Sequence, residues 1–188
     1  KTTMPILECI LIDASTDVIK LTANDMELGI ETSIEGEIID RGIIAINARI
    51  FSEIVRKLPD SDVVIETASA SQAMITCEKA KFNIAAQPGD DFSYLPAVEK
   101  DDFITVSEFT LKEVIRQTIF SIADNDTNKM MTGELFEIED NVLKVVSLDG
   151  HRISIRKIEL KDSYQPKKVI VPGKTLQEIS KIIGGEAE

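Results

Sequence analysis

Histidine and cysteine are the side chains most often used for chemistry near neutral pH, and the chain has His151, Cys9 and Cys77 and no others of either type. His151 lies two residues from Asp149, and imidazole titrates near neutrality, so an acid/base pair is conceivable. Asp149-Gly150, however, stands between alternating apolar runs, a strong hairpin signal, and His151 reads as the first residue of a strand. The cysteines are far apart and form no CxxC or Cys/His cluster, which argues against zinc and for a reducing cytoplasm; both read as buried small hydrophobes. The chain contains no HExxH, GxGxxG, Walker loop or GxSxG. No catalytic residue, metal ligand or cofactor is therefore expected, and an enzyme reading would need turnover that disappears with His151.

Spacing organises positive charge instead. At about 100° per residue, positions seven apart nearly eclipse on a helix, so Arg49 with Arg56, and Lys174 with Lys181, would each share a face. Phe51, Ile54, Val55 and Leu58 fall on the other side of the first helix; Leu176, Ile179 and Ile183 are likewise turned away from the second lysine pair. Lys112 and Arg116, four apart, share a face on a third helix. The 188 residues carry 21 Lys and Arg against 33 Asp and Glu, a net charge of −12. Yet the three helices hold seven basic residues and three acidic ones. Amphipathic surface helices generally carry Lys and Arg, but cations segregated on three helices of an acidic chain suit a protein that holds DNA by its phosphates without reading sequence.

The elements that position these helices read as short antiparallel strands at 6–13, 18–23, 27–34, 43–46, 63–67, 73–77 and 81–86, then 134–139, 142–148, 151–160 and 169–171. Helices are expected at 47–58, 110–123 and 173–183, an α+β pattern. The chain also repeats itself: Val18-Ile19-Lys20-Leu21 matches Val142-Leu143-Lys144-Val145 at a shift of 124, and the helix beginning near Arg49 matches the one beginning near Lys174 at 125. A duplicated domain of roughly 120 residues follows, with its boundary in the polar stretch Val98-Glu99-Lys100-Asp101-Asp102. With 43% apolar and 29% charged residues the chain can bury a core. No apolar run approaches the roughly 20 residues of a membrane span, and the opening residues lack a signal-peptide hydrophobic segment. These features point to a soluble, cytoplasmic protein.

Several segments resemble one family in order and spacing: Thr3-Met4-Pro5-Ile6-Leu7, Phe82-Asn83-Ile84, Gly89-Asp90-Asp91-Phe92-Ser93-Tyr94-Leu95-Pro96, Thr132-Gly133-Glu134-Leu135-Phe136-Glu137, Asp149-Gly150-His151-Arg152 and Val169-Ile170-Val171-Pro172. They are similar to the bacterial β sliding clamps, the β subunits of DNA polymerase III. The resemblance implies tandem DNA-clamp domains with antiparallel sheets outside and helices lining a DNA-facing side. It also implies three domain copies per chain and two chains closing head to tail into a ring. On that reading residues 1–99 are a first clamp domain without its opening strand and helix, 100–188 a second without its C-terminal part, and the third copy is absent.

The implied function is that of a non-catalytic processivity factor that encircles duplex DNA and recruits polymerase, clamp loader and repair partners. DNA contacts would fall on Lys1, Arg49, Asn125, Lys129 and Lys174, with Arg56 and Lys181 also facing the pore. A groove for partner peptides would use Met131, Leu148, Gly150, His151, Arg152 and Ile153, and the homodimer interface Lys81, Phe82 and Ile84. The chain departs from the pattern at Lys129-Met130, where some relatives have aromatic residues, at Gly173, which replaces a common basic residue, and at Leu148, where relatives often have a small hydroxyl residue. The competing expectation is a peptide-binding scaffold with no DNA role; steep weakening of DNA binding by salt would separate the two.

Overall fold

The computed structural model describes residues 5–69, 71–97, 101–124 and 127–184, with the side chain of Ala68 left aside. The chain divides into two compact units, Lys1–Ala97 and Val98–Glu188.

The first unit is a seven-stranded antiparallel sheet in the order β3-β2-β1-β4-β7-β6-β5, formed by β1 (Cys9–Asp13), β2 (Ile19–Asn24), β3 (Gly29–Ile34), β4 (Ile43–Asn47), β5 (Val63–Ser69), β6 (Gln72–Cys77) and β7 (Ala80–Pro88). Alternation along β1 and β4 sends Ile12, Ile44 and Ile46 to one face and Cys9, Leu11 and Ala45 to the other. Helix α1 (Ala48–Val55) covers the first face with Phe51, Ile54 and the following Leu58. Ile6 and Phe92 close the second face.

Several expected elements differ in extent. The strand expected from residue 6 begins only at Cys9, because Pro5–Glu8 is a 3-10 turn, a conformation that proline's fixed φ favours. The first helix stops at Val55: Lys57 and Leu58 donate to Ile54 and Val55 at 2.9 and 3.2 Å, a 3-10 tightening just before Pro59. Val55, expected in the packed stripe, is 44% exposed, because the face around Phe51, Ile54 and Leu58 already fills the contact. Helix α2 (Glu108–Thr118) starts earlier than expected, since the Ser107 hydroxyl accepts from the Thr110 amide at 3.2 Å and caps it, and it ends before the expected residue 123, with Ile119–Ser121 tightened into a 3-10 turn.

In the second unit β8 (Gly133–Leu148) pairs antiparallel with β9 (Ile153–Pro172). Lys144 Nζ lies 2.9 Å from Glu137 Oε2, whereas seven residues of straight strand would span roughly 23 Å. Asp140, between them, takes a left-handed φ of 53°. β8 therefore doubles back there, and its pairing with β9 separates into two ladders: Gly133↔Pro172 to Ile138↔Lys167, and Val142↔Glu159 to Leu148↔Ile153. The run 133–138 is thus flanked by 142–148 and by the end of β9, as β1 is flanked by β2 and β4. Helix α3 (Gly173–Ile182) follows β9 as α1 follows β4. Helices α2 and α3 bury Val114, Ile115 and Leu176 against Phe136, Ile138, Leu143 and Val145. No described helix is long and apolar enough to cross a membrane.

Candidate functional site

Arg49, Arg56, Lys174 and Lys181 are all exposed, on α1, the turn after it, and α3. Two of them bond acids of their own helix: Arg49 Nε to Glu53 Oε1 at 3.1 Å and Lys181 Nζ to Glu178 Oε1 at 2.8 Å. Exposed pairs of this kind contribute only about 0–1 kcal/mol and can be exchanged for another anion. Arg56 and Lys57 make no ion pair among the described residues. The expected Lys112/Arg116 face does not form as a free cationic patch. Lys112 reaches the carbonyls of Ile183 and Gly184, both at 3.3 Å, and neutralises the C-terminal end of α3. Arg116 grips Glu113 through two bonds, 2.9 and 2.7 Å, and lowers that carboxyl's pKa. Lys129 is exposed on a 3-10 turn, Lys129–Thr132, whose Asn128 side chain caps Met130 at 3.1 Å. Lys1 and Asn125 lie outside the described residues.

The turn joining β8 to β9 is built around one carboxylate. Asp149 Oδ1 accepts from the amides of His151 and Arg152 at 3.0 Å each, and Oδ2 accepts from Arg152 Nε at 2.9 Å. The His151 amide and then the Arg152 groups hold the Asp149 carboxyl below its usual range. Gly150 takes φ +86°, a left-handed conformation that glycine adopts without strain. Asp149 thus engages the backbone of His151, and the ring stands exposed without a described partner. Leu148 and Ile153 face each other across the ladder, Ile153 59% exposed. Met131 is half-buried, its carbonyl accepting from Ala123 N at 2.9 Å, and its neighbour Met130 is exposed. The turn therefore offers an apolar pair beside a rigid, charged corner.

The strand residues Lys81, Phe82 and Ile84 divide by alternation, Phe82 and Ile84 to one side of β7 and Lys81 to the other. Ile84 is buried in the first unit's core and Phe82 packs against it, so neither side chain is a free contact surface; Lys81 is exposed. The physical reason is β alternation, which sends residues 82, 84 and 86 to the face that α1 covers. What β7 leaves open is its backbone: residues 80–85 pair with β6 on one side and, among the described residues, with no strand on the other.

Glu134 was not singled out by spacing, yet it is fully buried and, among the described residues, neither carboxylate oxygen has a hydrogen-bond partner. The signal was present, since Glu134, Phe136 and Ile138 alternate onto the inward face.

Two tandem units with a common strand plan and an equivalent trailing helix define a clamp-type α+β fold. The description "DNA polymerase III beta subunit, N-terminal domain" matches residues 1–96 and "DNA polymerase III beta subunit, central domain" residues 105–188. The chain belongs to the DNA polymerase III beta subunit family. It is 37% identical over 196 aligned positions to the beta sliding clamp of Staphylococcus epidermidis RP62A, with all of this chain and 52% of that one covered. Among solved structures, a putative DNA polymerase III beta subunit from Eubacterium rectale ATCC 33656 superposes with a TM-score of 0.97 at 72% identity, and the sliding clamp of Bacillus subtilis with 0.92 at 36%. Each alignment covers all of this chain and 52% of the other. The chain thus spans about half the length of the relatives it matches.

Proposed function

We propose that the chain is part of a sliding clamp that encircles duplex DNA, moves along it without reading sequence, and tethers a replicative polymerase. The observation that carries this reading is the recurrence of exposed cations at the same place in both repeats, Arg49 and Arg56 at α1 and Lys174 and Lys181 on α3, in a chain of net charge −12. A mobile contact to phosphates needs solvated cations at low cost, and the weak pairs of Arg49 and Lys181 meet that requirement. Lys129, and by family position Lys1 and Asn125, extend the DNA-facing set. Met131, Leu148, Gly150, His151, Arg152 and Ile153 form one wall of a groove for short peptides of polymerases, clamp loaders and repair proteins. The unpaired flank of β7 at 80–85 is the head-to-tail dimer edge, with Lys81 beside it and Phe82 and Ile84 supporting it from the core. The protein contributes no catalytic step of its own and works in the cytoplasm as a homodimer.

The test is retention of the full-length protein on circular DNA and its release on linearisation, which reports topological linkage. Replacing Arg49, Arg56, Lys174 and Lys181 together by Glu should leave folding intact and reduce loading and processivity. Unchanged loading by the fourfold variant would remove these helices from the DNA path.

A further inference from the structure

Glu134 sits where a hydroxyl-rich seam joins the sheet of the second unit to the end of α2. The Ser147 hydroxyl, buried, donates to the Thr118 carbonyl. Ser154, across the ladder from Ser147, bonds the buried Ser121 hydroxyl at 2.5 Å. The Thr118 hydroxyl, the one side chain that acts on the Glu134 carboxyl, gives its proton to the Val114 carbonyl at 2.7 Å. The Thr118 and Ser147 hydroxyl protons are thus committed elsewhere, Ser121 and Ser154 share one bond with each other, and among the described residues both oxygens of Glu134 remain unpartnered.

The charged groups on the surrounding elements are also engaged elsewhere or exposed. On α2, Glu108 accepts from the Gly184 amide, Glu113 bonds Arg116, and Lys112 caps α3. On α3, Lys174 is exposed and Lys181 bonds Glu178. Lys129 is exposed on its 3-10 turn, Arg156 of β9 is exposed, and Asp149 at the far end of β8 holds Arg152. Lys144 of β8 and Lys168 of β9 both bond Glu137, on the opposite face of the sheet. An ionised Glu134 would be a buried charge with neither donor nor counter-ion among the described residues, which is strongly unfavourable; a neutral one is tolerated.

We propose that Glu134 is a proton-dependent latch: neutral, it lets residues 118–122 and 129–134 pack on the sheet, and ionised, it drives that junction to open toward water. Glu134 is two residues past the end of the Lys129–Thr132 turn, so opening displaces Met131 and Lys129 directly. Burial pushes the Glu134 carboxyl up to about 7, so the latch responds within a range that includes neutrality. Because its pKa rises on packing, the closed state keeps its full advantage below the ordinary carboxylate range and loses it as pH rises through about 7. The proposal does not depend on the DNA or peptide reading.

Hydrogen exchange of the full-length protein, corrected for the intrinsic pH dependence of amide exchange, tests it. Between pH 6 and pH 8.5 the protection of residues 118–122 and 129–134 should fall about tenfold in the wild type, the ratio expected for a carboxyl that titrates near 7 when packed and near 4.5 when open. In Glu134→Gln, and in Glu134→Met should the amide not be accommodated, protection should stay level. Level protection in the wild type overturns the latch whatever the variants do, and an equal fall in the variants assigns the pH response to another group.

Discussion

The two units share a strand plan but not a cover. In the first, the sheet is closed on both faces, by α1 over Ile12, Ile44 and Ile46 and by Ile6 and Phe92 over Leu11 and Ala45. In the second, the described residues close only the face under α2 and α3; the other carries exposed Ile155, Ile170 and Leu148 around half-buried Leu135 and Val146. Residues at matching positions therefore have burials that their polarity does not explain. Thr22 is buried while its counterpart Val146 is half-exposed, and Ile10 is partly buried while its counterpart Glu134 is 0% exposed. Burial here is set by what lies over a position, and polarity only decides what that burial costs.

Loss of the first unit's second cover should have the largest effect on stability. Phe92→Ala should destabilise the protein by about 3–5 kcal/mol, the usual range for deleting a buried aromatic ring; a urea midpoint that barely moves would mean that this face needs no cover. Transplanting the first unit's residue into the second is the next largest test. Glu134→Ile should stabilise the protein at pH 8, and the gain should exceed that at pH 5 by about 2–3 kcal/mol, because the raised carboxyl pKa penalises the folded state progressively as pH rises from the ordinary carboxylate range to about 7 and fully above it. Equal gains at both pH values would place the Glu134 carboxyl in the ordinary range.

The two trailing helices differ in their caps. Asn47 Oδ1 accepts from the Ile50 amide at 3.0 Å at the start of α1, whereas Pro172 gives α3 no side-chain cap. Asn47→Ala should cost about 1 kcal/mol in thermal or chemical unfolding. Pro172→Ala should remove no capping bond from α3, and an equal loss in both variants would show that the cap is not what distinguishes the helices. The smallest effect is expected on the open face. Lys168 first, with Lys144, holds the Glu137 carboxyl down to about 2. Its contribution is present above the ordinary carboxylate range and is lost as pH falls from there toward 2, so Glu137→Gln should flatten the acid limb of the stability profile across that window and leave the neutral region nearly unchanged.

Much of the site was legible locally. Asp149-Gly150 specified its turn because a short acid that can bond the next two amides, followed by a residue free to take positive φ, has few other uses between two strands. The repeat at 124–125 and the cations of α1 and α3 were legible because exposed helix faces follow from periodicity alone. Other features depended on contacts far along the chain. The fate of Lys112 was settled by the C-terminal end of α3, that of Phe82 and Ile84 by the core under α1, and that of Glu134 by the seam at Thr118 and Ser147. The period, the Asp149-Gly150 turn and the sign of charge on α1 and α3 followed from the amino-acid order alone, because these depend on neighbours within a few residues. Only the tertiary structure decided which faces are covered and which carboxyl is denied water, because desolvation is set by atoms brought together from distant parts of the chain.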